Sequence, residues 1–131
     1  MENNKKVNYN SYVCPKCFYN PRKCKCDIDF PLYLIHIDKS IQKHIQILNE
    51  KGYKTRFCCE GHGKFCYITF IDDYFTKYNI NDFPSGFIYD KNRCNLYYTF
   101  NGKLSDEEKS IVKSNILKDL LEFCKKLKKI N

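Results

Sequence analysis

Alanine and tryptophan are absent from this chain of 131 residues, and methionine occurs once. No stretch of about 18 apolar residues is present, so no membrane-spanning helix is expected. The opening Met1-Glu-Asn-Asn-Lys-Lys6 lacks the apolar core of a secretory signal. There is no internal repeat and no long linker. Missing alanine, with abundant Asn, Lys, Ile, Tyr and Phe, is the bias of an A/T-rich coding sequence, so 20 lysines against 3 arginines carry little functional information alone.

Cysteine is abundant by contrast, and its odd total of nine fits a reduced, cytoplasmic setting better than a set of disulfides. Four fall within thirteen residues, as Cys14-Pro-Lys-Cys17 and Cys24-Lys-Cys26. Thiolates are soft ligands, and a CxxC turn facing a CxC return suits tetrahedral Zn²⁺. Two disulfides or four unrelated thiols are the alternative. Pro15 and Pro21, with Arg22 and Lys23, keep the loop short, so binding of the ion would order it in place of a core. This divides the chain into a flexible N-terminus (1–12), a zinc-binding loop (13–29) and an α+β domain (30–131).

Charge is uneven. The net +8 splits as +3 over residues 1–30, +2 over 31–60, 0 over 61–100 and +3 over 101–131. Lys16, Arg22, Lys23 and Lys25 decorate the loop, and Lys125, Lys126, Lys128 and Lys129 close the chain. A polyanion could be held between these ends if the fold brings them together. The closing lysines would equally suit a helix C-terminus.

The pattern predicts a mainly antiparallel sheet of about five strands, with an early helix and a long C-terminal one. Phe30 to Ile37 reads as a central strand buried on both faces, with His36 a core residue. Asp38 is the expected cap of a helix carrying Ile41, Ile45 and Leu48 on one face, His44 on its polar side, and Gly52 at its end. Strands at 53–58 and 65–71 flank a tight turn, a short helix capped by Asp72 or Asp73 falls in 72–80, and 87–89 pairs with 94–100. Ser105 and Glu108 form a capping box for a helix over 106–128, with Val112, Ile116, Leu120, Phe123 and Leu127 along one side.

The turn Cys58-Cys-Glu-Gly-His62 concentrates chemistry between two strands. Cys59 and His62, joined by Cys58 or Cys66, could hold a second zinc. Cys59 could instead be a nucleophile activated by His62, with Glu60 orienting the ring. Or the N–H groups of Gly61 and Gly63 could receive a phosphate or carboxylate, assisted by Thr55, Arg56 and His62. A plainer reading makes the cysteines small core residues and the histidine a surface group. Phe65, Tyr67, Phe70, Tyr97, Tyr98 and Phe100 could stack nucleobases if exposed beside lysine or arginine, although strand aromatics are commonly core.

Residues Ile45 to His62, as I-x-I-L-N-x-x-G-Y-x-T-x-x-C-C-x-G-H, resemble the segment around the T-x-S-S-C-S-G-R signature of the tRNA wybutosine-synthesising methyltransferase 3 family. Thr55, Cys59 and Gly61 match, while Phe57 and Cys58 replace serines and His62 replaces arginine. The resemblance implies S-adenosylmethionine-dependent modification of a tRNA base. The cysteine-rich start and Thr-x-x-Cys-Cys-x-Gly-His turn are also similar to those of small proteins from low-GC Gram-positive bacteria and their phages.

Three functions follow as expectations. The first is a zinc-binding module that binds RNA or DNA through Arg56, the 55–63 turn and the basic ends. The second is an RNA-modifying enzyme using the same turn, and the third a phage or mobile-element protein that inhibits a host protein by surface complementarity.

Overall fold

A computed structural model describes residues 12–15, 17–19, 23–26 and 35–131. The fold is α+β. Strands β1 (Tyr12–Val13) and β2 (Ile35–His36) pair antiparallel. A 3₁₀ turn (Lys39–Ile41) leads into α1 (Gln42–Glu50). Strands β3 (Thr55–Cys59) and β4 (Phe65–Phe70), helix α2 (Tyr74–Lys77), strands β5 (Ile88–Asp90) and β6 (Asn95–Thr99), and helix α3 (Asp106–Lys126) follow. The four later strands form one antiparallel sheet in the order β3-β4-β6-β5.

Strand alternation divides this sheet into two faces. Cys66, Ile68 and Phe70 of β4 and Leu96 of β6 point inward and are buried, joined by Ile41, Ile45 and Leu48 of the early helical segment and Ile116, Leu117 and Leu120 of α3. Phe75, planted by α2, packs among Phe70, Phe83, Tyr89 and Phe123, with ring centroids 4.9–5.9 Å apart. Asp73 caps α2 by accepting from the Thr76 N–H. Ser105 and Glu108 make the expected capping box. Helix α3 ends at Lys126, where Leu127 turns extended.

Four expectations need correction. Residues 30–34 lie outside the described residues, and Ile35–His36 pairs with Tyr12–Val13 instead of entering the larger sheet, whose inner strands are β4 and β6. His36 is exposed, its ring edge-on to Tyr12. His44 is buried, because α3 covers the side of α1 that apolar periodicity leaves polar: Nε2 donates to the Leu117 carbonyl at 2.7 Å. Asp38 precedes the 3₁₀ turn but makes no side-chain cap bond, since its carboxylate faces the β3–β4 turn. Residues 1–11 lie outside the described residues.

Candidate functional site

In the cysteine loop, the Cys14 N–H donates to the Tyr19 carbonyl at 2.9 Å and the Phe18 N–H to the Cys14 carbonyl at 2.8 Å, closing the turn over Cys17. Phe18 adopts φ 64° to allow it. The sulfurs of Cys14, Cys17, Cys24 and Cys26 all lie within 4.8 Å of one another, so the four could hold a metal ion. A tetrahedral ion at Zn–S distances would space them by about 3.8 Å. The Cys26 N–H points at the Cys24 sulfur at 3.2 Å, an interaction that strengthens when that sulfur is a thiolate. Without an ion, burial and then the neighbouring thiols push Cys17 up to about 12. Four thiolates in one pocket therefore call for a cation.

The loop is docked on the domain. Gln46 donates to the Phe18 carbonyl at 2.9 Å, Tyr19 donates to Glu50 at 2.8 Å, and Val13 and Cys14 are fully buried. The C-terminal residues reach the same end of α1: the Ile130 N–H donates to the Lys51 carbonyl at 2.7 Å and the Asn131 amide to the Glu50 carbonyl at 3.3 Å. Tyr19 of the cysteine loop and Asn131 at the C-terminus thus both reach Glu50. Lys23 and Lys25 are exposed, as are Lys128 and Lys129. Lys16 and Arg22 lie outside the described residues.

The β3–β4 turn carries the residues for which the sequence offers three chemistries. Thr55 is tied to Asn49 by two bonds, Asn49 Nδ2 to Oγ1 at 3.0 Å and its own N–H to Asn49 Oδ1 at 3.2 Å, which lock the strand to the end of α1. Burial pushes Cys58 and Cys66 up to about 12, so both remain thiols packed with the core. The Gly61 N–H faces the Cys59 sulfur at 3.4 Å, and the Gly63 carbonyl accepts from Lys109 at 2.6 Å. Gly61 has φ 114°, and a Cβ there would meet the Phe100 ring at 2.7 Å, so the turn is pressed onto the core. His62 is brought to Asp38 and Glu60. Cys58, Cys59 and Cys66 are not among the clustered metal-ligating groups of the described residues.

The outer face of the sheet is open. Phe57 and Phe65 are 61% and 44% exposed and Ile88 is 56% exposed, with Tyr67 and Tyr97 half-buried between them. Tyr67 pairs with Tyr97 across β4–β6, and the Phe65 and Tyr97 rings meet edge to face at 6.0 Å. Phe65, Tyr67, Thr69, Asp90, Arg93, Asn95 and Tyr97 line a concavity of about 370 Å³, within the size range of small-ligand pockets. Thr69 donates to Asn95 Oδ1 at 2.9 Å, which orients the Asn95 amide N–H groups as donors. The Arg93 side chain is 84% exposed and 3.9 Å from Asp90. Burial pushes the Tyr67 phenol up, keeping it a neutral donor.

Phe70 and Phe100 are buried, and Tyr98 packs between Phe87 and Phe100, so only Phe65, Tyr67 and Tyr97 of the six sequence candidates belong to the open face. Phe57, Arg93 and Asn95 were missed. The signal for them was the strand register, which residue type alone does not supply. No helix among the described residues is long and apolar enough to cross a membrane. Compared with protein-family models, curated proteins and solved structures, the chain matches none.

Proposed function

We propose that the protein is a zinc-stabilised module that binds single-stranded nucleic acid on the outer face of its sheet. The observation that carries this reading is the uncovered patch of Phe57, Phe65, Tyr67 and Tyr97 with the arginine of the β5–β6 hairpin at its edge. Aromatic rings on a sheet accept the faces of successive bases, Arg93 can reach a phosphate or stack on a base, and the Asn95 amide can donate to a base edge. Arg56, exposed on edge strand β3, adds a second cation. The net charge of +8 supplies long-range attraction. Zinc fits the four sulfurs best among common ions because thiolates prefer it and it needs no redox partner.

The test is fluorescence anisotropy of labelled single-stranded RNA and DNA 12-mers against zinc-loaded protein between about 50 and 300 mM salt. Affinity should fall linearly on a log–log scale as phosphates regain counterions. Phe65→Ala and Tyr97→Ala should each weaken binding about 5- to 150-fold, from about 1–3 kcal/mol per stacked base. Binding insensitive to both substitutions, or no binding at the lowest salt, removes the proposal. Capture of a folded protein by the same face, lost in the same variants, would support surface inhibition instead.

A further inference from the structure

The geometry points to a second cation site, distinct from the cysteine loop and independent of the nucleic-acid reading: Asp38, Glu60 and His62 form a three-ligand site for a divalent ion of the Mn²⁺ class. His62 Nε2 lies 3.1 Å from Asp38 Oδ2 and 3.5 Å from Glu60 Oε1. The donor atoms of all three side chains fall within 4.8 Å of one another. Adjacent ligands bound at about 2.0–2.2 Å to one ion stand about 3.0–3.5 Å apart. The two His62 separations fall in that range, and the Asp38–Glu60 pair lies within 4.8 Å.

The surroundings favour this reading over a surface group of acids. The Asp38 and Glu60 side chains are only 16% and 14% exposed, while His62 is 66% exposed. Two carboxylates drawn out of water beside each other repel. Lys113, 3.3 Å from Glu60 Oε2, and the Ser40 hydroxyl, which also donates to Oε2, hold only the oxygen that faces away from His62. That leaves Oε1 and the Asp38 carboxylate directed at the imidazole, with Lys113 and Ser40 in the orienting role that outer partners play around bound metals. Gly61, clamped on Phe100, fixes the spacing of Glu60 and His62.

A separate observation lies next to it. Ser40 and Lys113 also line a cavity of about 450 Å³ between α1 and α3, together with His44. His44 is only 4% exposed, and with Nε2 donating to the Leu117 carbonyl its Nδ1 carries a bare lone pair. Nδ1 is the one buried side-chain polar atom among the described residues without a hydrogen-bond partner. His44 is on the lining of that cavity and the Ile41 carbonyl also faces the ring, so Nδ1 can take a hydrogen bond from water there. One imidazole and two carboxylates with no thiolate suit Mn²⁺, Fe²⁺ or Zn²⁺. Three protein ligands and an exposed His62 side leave coordination positions open, as in sites that act on a bound water or oxygen ligand.

The experiment titrates the full chain, loaded with one equivalent of Zn²⁺ for the thiolate loop, with MnCl₂, following free Mn²⁺ by electron paramagnetic resonance and the histidine rings by NMR. Manganese is chosen because the thiolate loop discriminates against it. One ion per chain should bind with a dissociation constant below about 1 mM. The His62 ring resonances should broaden before those of His36, which lies in β2 and outside the cluster. Asp38→Asn and His62→Ala should each weaken binding more than about tenfold, while Asp106→Asn, at the start of α3, leaves it unchanged. Undiminished Mn²⁺ binding in both variants, or broadening of His36 as early as His62, overturns the inference. The broadening pattern of the unsubstituted chain decides the matter even if a variant fails to fold.

Discussion

Removing the loop metal has an effect whose size can be worked from the contacts that dock the loop. Cys17→Ser takes away one of the four sulfurs that could hold an ion and should release the segment around it, because binding of that ion is expected to order the loop. What the rest of the domain then loses is Val13 from the core, the Gln46–Phe18 bond and the Tyr19–Glu50 bond. Full burial of a valine contributes about 1.5–3 kcal/mol, and each hydrogen bond about 0.5–1.5 kcal/mol, the exposed Tyr19 pair at the low end. The loss of stability is therefore about 2.5–5 kcal/mol. At roughly 4 °C per kcal/mol for a domain of this size, the melting temperature should drop by about 10–20 °C. Circular dichroism at 222 nm should still show one cooperative transition, because β3–β6 and α3 keep their own core. Amide shifts in NMR spectra should change along α1 at Gln46 and Glu50 and much less in the β5–β6 hairpin. Loss of any cooperative transition would mean that the ion holds the whole fold, and a melting temperature within about 2 °C of the parent would mean the loop is not docked. Either result refutes the reasoning.

Lys51 Nζ donates to the carbonyls of Cys124, Lys125 and Leu127 at 2.9, 2.6 and 2.6 Å, satisfying the open end of α3. Lys51→Met should cost about 2 kcal/mol, read as a lower urea midpoint with an unchanged slope, and an unmoved midpoint would show that solvent serves those carbonyls as well. Burial holds the His44 pKa below its usual 6.5, against the Leu117 and Ile41 carbonyls, which favour the charged ring. The unfolded chain then takes the proton first, so stability rises with pH through the window from the depressed value to 6.5 and is lost on acidification. His44→Gln, which can still donate to Leu117, should lose less stability between pH 7.5 and 5.5 than the parent, by urea melts at both pH values. Equal losses would place the acid sensitivity elsewhere.

The elements that local chemistry specifies were readable from the sequence. The Ser105–Glu108 capping box and the Asp73 cap span three residues, and the β5–β6 hairpin closes over a short turn. The Cys14–Cys26 cluster follows from spacing alone. What could not be read was set by contacts distant in sequence. His44 is buried by Leu117, 73 residues away, and Asp38 is turned from its capping role by Glu60 and His62, the first of them 22 residues on. The central position expected for a strand at 30–37 was wrong at its described end for a related reason. An apolar run indicates burial without saying against what, and the described end of this one pairs with Tyr12–Val13.

The open face was hidden by its own composition. In Phe65-Cys-Tyr-Ile-Thr-Phe70 both parities of the alternation carry large apolar groups, so periodicity cannot say which side the helices cover. The structure resolves this: Cys66, Ile68 and Phe70 are 0–3% exposed, whereas Phe65 is 44% exposed. Sheets with an uncovered apolar face risk pairing with themselves, and the usual route is through edges. Here both edges are blunted. Strand β3 carries a register shift between Thr55 and Phe57 with Arg56 at the irregularity, and β5 has only three residues. Edge-to-edge association is thereby disfavoured while the face itself stays accessible. A surface kept open in this way, with aromatic rings at its centre and Arg93 and Asn95 at one end, suits a ligand that offers flat rings and negative charge together, which is what a single nucleic-acid strand presents.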